Sequence, residues 1–368
     1  MFKIAKLDAV AISVPLKSPL KLAGIVIGTA DNLIVRIEDT DGTIGWGEAS
    51  SAPTMTGEFP EGMVSAAKFL KEHLLGFEVT NIGNFHRQLD PVIYGNSSVK
   101  SAIEMALVDI AGQRQGIPAY EVLGGRVRDK VAIILMVAGG GGRDELNSAK
   151  EHADRGFVAY KVKVGVGDVT TDIQRCRDMR NLLGPEMRIS ADANQGFNRT
   201  DALTFAEAAG DTGLDFFEQP VNGEDLDTMR DCAEISTIPL GADEGFHSID
   251  DIIKHHEIGA ASGGSLKTIK LGGMFPVIQA GTLMNNLGMN VNLAGKIADT
   301  SIASSSVAHL AMALPKLNWD VNITNHYLCE DIVENPLSIE DGHVTISDAP
   351  GLGFRPDESL LNKYTAIR

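Results

Sequence analysis

The chain has 368 residues, with 49 acids against 32 bases, a formal charge of −17, 43% hydrophobic and 22% charged residues. That length suits two domains or one large barrel with an addition, and the apolar share is ample for a core, which excludes general disorder. The acid surplus excludes non-specific nucleic-acid binding, which needs excess Lys and Arg, while three scattered cysteines (Cys176, Cys232, Cys329) exclude a disulfide framework and fit a reducing, cytoplasmic setting.

Met1 to Val14 carries Lys3 and Lys6, but Asp8 interrupts it and no small-residue cleavage site follows, so it reads as a strand rather than a signal peptide. Asn32 to Glu38 is a second Val/Ile-rich strand. It leads through the turn dipeptide Asp41-Gly42 into Ile44-Gly45-Trp46-Gly47-Glu48, a hairpin signal. Glu61 to Phe77 and Val99 to Gln115 then show helical spacing, and in the latter Ile103, Ala106, Leu107, Ile110 and Ala111 share one face. Three strands followed by helices make a small α+β unit, residues 1–128.

From about Lys130 short apolar runs alternate with helical patterns. The runs are Val131–Val137, Ala159–Val164, Met187–Ala191, Leu214–Phe217, Ile238–Gly241, Ser265–Ile269, Asn290–Leu293 and Leu317–Val321. Eight strands at roughly 25-residue spacing suggest parallel β/α units closing into a barrel over residues 129–325. A doubly wound sheet is the rival, but Gly139 to Gly142 is followed by neither a Gly-Lys-Ser/Thr nor a GxGxxG spacing and reads as a flexible loop. The longest uncharged stretch, Leu271 to Gly295, is long enough for a membrane helix but contains Pro276, Gln279, Asn285, Asn286, Asn290 and Asn292, which rules it out as one. Residues 326–368, with Asp341-Gly342 and Pro350-Gly351-Leu352-Gly353, read as short strands and turns after the barrel.

In such a barrel the functional groups stand where strands end and loops begin. The second strand ends Lys161-Val162-Lys163, and alternation turns both lysines inward. The third ends Asp192-Ala193-Asn194, the fourth Glu218-Gln219-Pro220 and the fifth Asp243-Glu244, while the sixth carries Lys267 and Lys270. Three carboxylates on successive strand ends cannot all stay ionised unpaired. A hard divalent cation relieves the repulsion, and oxygen ligands suit Mg²⁺, with Mn²⁺ the alternative. Any one of these residues alone is more simply a structural ion pair; the aligned set on one pole is not.

This ordered set resembles the enolase superfamily and, within it, the muconate lactonizing enzyme subgroup of the mandelate racemase/muconate lactonizing enzyme family. The carrying motifs are Lys161-Val162-Lys163, Asp192-Ala193-Asn194, Glu218-Gln219-Pro220, Asp243-Glu244 and Lys267-Thr268-Ile269-Lys270-Leu271-Gly272-Gly273, supported by Gly45-Trp46-Gly47-Glu48 and the tail Pro350 to Gly353. The resemblance implies a modified TIM barrel, (β/α)₇β, under an N-terminal α+β capping domain, with the final segment returning to the cap. It implies Asp192, Glu218 and Asp243 as Mg²⁺ ligands and Lys163 and Lys267 as acid/bases on opposite faces. Lys161 would lower its partner's pKa and help hold the substrate carboxylate, and Asn194, Glu244 and Lys270 would support these groups. A small carboxylate substrate and a homo-oligomer follow from the same resemblance, with no nucleic-acid or membrane partner. The related His-Asp dyad has no counterpart here, and His309, in the run Ala308-His309-Leu310-Ala311, reads as a packing residue.

Substrate contacts are expected from the last two strands and the cap loops. The seventh strand ends Gly295-Lys296-Ile297-Ala298-Asp299, where Lys296 either binds a second anionic group or pairs with Asp299. The eighth ends Trp319-Asp320-Val321-Asn322, which resembles the Asp-x-Asp that holds an ammonium group in dipeptide epimerases, with an amide in the second place. Asp320 is therefore either a receiver of a cationic nitrogen or an acid at the barrel bottom. In the cap, Pro19 to Thr29 and Ser50 to Phe59 match the mobile loops of the family, giving Lys21, Ile25, Ile27, Met55 and Phe59 as contacts.

The expected chemistry is Mg²⁺-dependent abstraction of the proton α to a carboxylate, through an enediolate. Two opposed lysines favour racemisation or epimerisation of an amino-acid derivative. Cycloisomerisation of the muconate type and syn-dehydration are the alternatives, and a non-enzymatic binding protein on the same fold is a more remote one.

Overall fold

The computed structural model describes residues 2–22, 25–79, 81–137 and 142–367, without the side chains of residues 21, 22 and 25. The glycine run Gly139–Gly141 therefore lies outside the described residues. Two long strands, β1 (Ile4–Leu22) and β2 (Ile25–Asp39), pair antiparallel, and β3 (Ile44–Ser50) pairs with β2. The turn before β3 is set by Gly42 at φ +83° and by Asp39, whose Oδ1 accepts from the backbone N–H groups of Asp41 and Thr43.

Helices α1 (Pro60–Leu74), α2 (Phe85–Leu89), α3 (Ser97–Gln115) and α4 (Ala119–Val122) follow. The expected face of α3 is buried, and so are all the other residues from Ser98 to Gly112, because α3 packs on the cap sheet and also against the barrel. Gly45 and Gly47 permit that packing. A Cβ on Gly47 would lie 1.8 Å from the Ala102 carbonyl oxygen, and one on Gly45 2.2 Å from that of Ala106.

After β4 (Val131–Ala132) the barrel is built from β5 (Ile134–Val137), β6 (Ala159–Lys163), β7 (Arg188–Asp192) and β8 (Phe216–Glu218), and then β9 (Leu240–Ala242), β10 (Gly263–Leu266), β11 (Asn290–Ala294) and β12 (Val321–Asn322). They form one parallel sheet in sequence order, and a bridge from Ile133 to Val321 brings the last strand beside the first. The order never reverses, so the doubly wound alternative is excluded.

The connecting helices are α5 (Arg143–Asp154), α6 (Val169–Leu183), α7 (Arg199–Ala208), α8 (Leu226–Ile235) and α9 (Ile249–Glu257), then α10 (Thr268–Leu271), α11 (Met274–Asn286) and α12 (Ser301–Ala313). Side chains of Asp168, Asn198, Asp225, Ser248 and Thr300 cap five of them, so the strand-to-loop-to-helix transition is written locally each time. Beyond β12 the chain forms β13 (His343–Val344), which pairs with β4, then α13 (Glu358–Tyr364) and β14 (Thr365–Ile367), which pairs antiparallel with β1. No helix among the described residues is long and apolar enough to cross a membrane.

Cap and barrel meet through buried acids. Glu48, at the end of the Gly-Trp-Gly-Glu run, accepts from Asn32 Nδ2 at 2.6 Å, the Thr300 backbone N–H at 2.9 Å, Thr300 Oγ1 at 2.6 Å and the Ala303 backbone N–H at 2.8 Å. A cap side chain thus satisfies the first turn of barrel helix α12. His309 on that helix is buried and stacks on Tyr120 of the cap, with Nδ1 accepting from the Tyr120 backbone N–H at 3.2 Å. It is a packing residue, as expected.

Candidate active site

Parallel pairing in register aligns Lys163 with Asp192, Asp192 with Glu218, and Glu218 with Gly241, two residues before Asp243. Neighbours in register project to the same side of a sheet, so the strand ends deliver one row of polar groups to one pole. Asp192, Glu218 and Asp243 are all buried. Lys163 on β6 and Lys267 just after β10 bracket the three strands that carry them.

Each carboxylate holds a lysine. Lys161 donates to Glu218, and Lys163 donates to Asp192 and, at 2.7 Å, to Asn194 Oδ1. Lys267 donates to Asp243, and Lys270 reaches Asp243 Oδ1 at 2.7 Å and the Ser265 carbonyl at 2.9 Å. Asn194 Nδ2 in turn donates to Glu244 Oε1 at 3.2 Å. Lys267 and Lys270 are not strand residues: β10 ends at Leu266, and a four-residue helix begins at Thr268. A helical step of three brings both ammonium groups to the same acid.

The charges shape one another. Burial opposes the ionised form of Asp192 and Asp243, but the adjoining lysines outweigh it and hold both carboxyls below their ordinary range. Burial likewise opposes the charge on Lys161 and Lys267, and the facing carboxylates outweigh it, so both ammonium groups lie above their ordinary value. Glu244 is pushed up to about 7 by burial, Asp243 and Asp192. Among the described residues no three His, Cys, Asp or Glu side chains stand ready as a metal cluster, since the three expected ligands are each engaged by a lysine.

A pocket opens over this row. Lys161, Lys163, Asp192, Asn194, Asp243 and Lys267 line it, and so do Lys296 and Asn322. Met55 of the cap loop reaches in, with its sulfur 4.0 Å from Lys267 Nζ, and its carbonyl is held by His247 Nε2 at 2.8 Å. Ile27 and Phe59 do not line the pocket, and Phe59 is exposed; the side chains of Lys21 and Ile25 lie outside the described residues.

Two expected contacts are corrected. Asp320 belongs to the opposite pole, where Arg188 opens β7 and its Nη2 donates to Asp320 Oδ1 at 2.7 Å. Asp320 has φ +56° and precedes β12, so strand alternation does not carry it to the side of Asn322. Asp299 does not reach the pocket either. Its Oδ1 accepts from Ser50 Oγ at 2.5 Å and its Oδ2 from the Lys296 backbone N–H at 2.9 Å. The Lys296 ammonium has no ion pair among the described residues, and burial with Lys267 and Lys163 pushes it down to about 8.

The sequence reading missed Met136 and Ile134 on β5 and Tyr327 beyond β12, all in the pocket wall. Alternation along Ile134–Val137 was a usable signal for the first two. Tyr327 ends a three-residue 3₁₀ helix, too short for a periodic signal to mark it. Ser265 was also missed, and its hydroxyl contacts Glu218 Oε1 at 2.7 Å from the adjoining β10.

Comparison with known proteins places this geometry in context. A family model described as the mandelate racemase / muconate lactonizing enzyme N-terminal domain matches residues 5–124, and one described as enolase C-terminal domain-like matches residues 144–360. An N-succinyl-L-Arg/Lys racemase of Bacillus cereus is 29% identical over 373 residues, covering 100% of this chain and 99% of the relative. Muconate cycloisomerase 1 of Pseudomonas putida is 30% identical over 354 residues, covering 95% and 94%. The crystal structure of muconate lactonizing enzyme from Pseudomonas fluorescens complexed with muconolactone superposes with a TM-score of 0.95 at 29% identity and covers 99% of each chain.

Proposed function

The chain belongs to the mandelate racemase / muconate lactonizing enzyme family, and from that premise we propose that it racemises or epimerises an amino-acid derivative by moving the proton α to a carboxylate. The observation that carries this reading is the pair of lysines, Lys163 and Lys267, bracketing three buried carboxylates. Asp192, Glu218 and Asp243 are an oxygen-only donor set on adjacent strands, and they fit a hard divalent cation, Mg²⁺ or alternatively Mn²⁺. Such an ion supplies charge stabilisation to the substrate carboxylate as the α-carbon loses its proton.

The rest is the work of side chains. One lysine, neutral, takes the proton from one face of the α-carbon; the other, as ammonium, returns a proton to the opposite face. Lys267 keeps its proton because Asp243 and Glu244 face it. Engaging Asp243 elsewhere weakens that hold and makes Lys267 a usable base. Lys270 and the Asn194–Glu244 pair keep Asp243 and Lys163 in place. Met55 covers the Lys267 side from the cap. Cytoplasmic residence is supported by three unbridged cysteines, and a homo-oligomeric state rests on the family alone.

The test is α-proton exchange in D₂O with Mg²⁺ present, over a panel of N-acyl amino acids and dipeptides. Wild type should exchange both stereoisomers of its substrate, Lys163→Ala only one, Lys267→Ala only the other, and the double variant neither. Exchange by the double variant would overturn the assignment. Muconate cycloisomerases among the relatives support a second reading, cycloisomerisation, in which one lysine suffices.

A further inference from the structure

The turn that carries Lys267 is held by the cap as well as by the barrel, whereas the strand that carries Lys163 is held from within the barrel. β6 pairs with β5 and β7, the Lys163 carbonyl accepts from Arg175 Nη1 at 2.9 Å, and the Gly165 N–H donates to Asp172 Oδ2 at 2.8 Å. Lys267 instead opens a single turn of helix. The N–H groups of Lys270 and Leu271 donate to its carbonyl at 3.2 Å, and that of Gly272 donates to the Thr268 carbonyl at 2.8 Å. Gly272, at φ +90°, ends the turn, Gly273 follows, and α11 begins at Met274. A four-residue helix has little cohesion of its own, so the place of Lys267 depends on what anchors the far end of the turn.

That anchor is in the cap. Glu104, from the middle of α3, is fully buried, and its Oε2 accepts from the backbone N–H groups of Met274 and, at 3.2 Å, of Phe275. Its Oε1 lies 3.1 Å from His86 Nε2 on α2. Lys100, one turn earlier on α3, is committed to Asp90 Oδ1 at 2.7 Å and to the Ile93 carbonyl at 3.0 Å. Among the described residues no Lys or Arg pairs with Glu104. A buried acid is costly unless hydrogen-bonded, and here the α11 backbone supplies two of the donors. The fit is close: a Cβ on Gly273 would lie 2.1 Å from Glu104 Oε2, and one on Gly272 would lie 3.4 Å from His86 Cε1. Two cap side chains thus clasp the glycine pair that joins the lysine turn to α11.

We propose that Glu104 is a positioning residue for Lys267: from the cap it fixes the turn from Thr268 to Gly273, and that turn holds the Lys267 ammonium on the row of carboxylates. Docking of the cap then governs one face of the reaction more than the other. The assignment rests on the reading of Lys163 and Lys267 as acid/bases on opposite faces of the α-carbon.

The test is hydrogen–deuterium exchange of the full-length protein in Mg²⁺ buffer, read peptide by peptide by mass spectrometry, for wild type, Glu104→Met and Glu104→Gln. Methionine matches glutamate in length but offers the two N–H groups only a weak sulfur acceptor. Glutamine keeps a carbonyl oxygen for them and turns its NH₂ to His86, whose other tautomer accepts it. In Glu104→Met the amides of residues 268–275 should exchange about tenfold to a hundredfold faster, the span expected for losing hydrogen bonds to a charged acceptor. Those of residues 160–165 should stay within about twofold of wild type, as a distant site does. Glu104→Gln should restore most of the protection. Gly273→Ala crowds the same contact from the barrel side and should loosen the same peptide, which decides the matter if the Glu104→Met chain does not fold. Unchanged protection over 268–275, or an equal rise over 160–165, overturns the proposal.

The companion measurement is α-proton exchange in D₂O by the same variants on N-acyl amino acids and dipeptides, with L and D forms followed apart. Lys267→Ala identifies the isomer that Lys267 serves. Glu104→Met should slow exchange of that isomer about tenfold more than exchange of the other, within the roughly hundredfold that an ångström of misplacement costs. Glu104→Gln should bring the two back toward balance. Equal slowing of both isomers overturns the link from Glu104 to Lys267. A wild type that exchanges no compound defeats the proton-abstraction reading alone, and the deuterium protection still decides whether Glu104 holds the turn.

Discussion

Lys296 should be a liability to the folded chain, and replacing it with methionine should make the protein more stable. Its folded value is about 8 against an ordinary value near 10.5, because burial and the neighbouring Lys267 and Lys163 disfavour its charge more than Asp299 and Glu244 support it. The difference corresponds to about 3 kcal/mol held against folding at neutral pH. The sign follows from proton counts. Below about pH 8 both folded and unfolded chains carry the proton, and the whole penalty is felt. Between about pH 8 and 10.5 the unfolded chain binds more protons than the folded one, so stability rises with pH. Methionine has similar length and no charge, and it should sit against Ile297 and Ile323 with little repacking. Urea denaturation of wild type and Lys296→Met, without substrate, at half-unit steps from pH 6.5 to 10 would measure it. The variant should gain about 3 kcal/mol at pH 7, and the gain should shrink steadily above pH 8. No gain at pH 7, or a gain that ignores pH, would refute the claim that Lys296 is a half-buried cation whose charge its neighbours support only in part.

Glu48 gives the opposite slope. Burial and the nearby Asp299 push it up to about 8, so the folded chain retains a proton that the unfolded chain releases, and stability should fall as pH rises from about 4.5 through 8. Glu48→Gln should flatten that fall, and it should also cost about 1–3 kcal/mol by turning an amide NH₂ toward the Ala303 or Thr300 N–H. Both effects appear in chemical denaturation as a function of pH. Asp320→Asn should cost only about 1 kcal/mol, since Arg188 is half-exposed and asparagine tolerates the positive φ. The order of binding among substrate analogues, read by calorimetry, should not move. A changed order would return Asp320 to the pocket.

The reactive pole was readable in the sequence because strand period and barrel direction leave little freedom. Lys161 and Lys163 are two residues apart on a strand whose end must face the loops, Asp192 and Glu218 close the next two strands, and a closed parallel barrel sends those ends to one place. The same rule failed where the backbone breaks it. Asp320 and Asn322 also stand two apart, but Asp320 has φ +56° and the strand starts only at Val321, so the pair splits between the two poles. Lys267 and Lys270 meet on Asp243 through a helical step rather than strand alternation, a distinction that spacing across a strand end does not make. Tyr327 lay beyond the last strand, where no periodic signal operates. The pairing of each carboxylate with a lysine was implicit in the charges, yet which lysine took which acid depended on register, and register is a property of the closed sheet.

The pairing of β14 with β1 has a consequence for how the molecule is made. The cap sheet begins with residues synthesised before the barrel and is completed at that edge by residues 365–367, synthesised after every barrel strand. Between those events β1 presents an unpaired edge, the kind of edge that invites association with other chains. The bridge from Leu16 to Leu328 likewise joins β1 to a segment that follows the barrel. The barrel units, with short connections between successive strands, can mature while the cap edge still waits. Docking of the tail is therefore the natural last step of assembly, and the cap would be the part most exposed to misassociation if synthesis stalled before it.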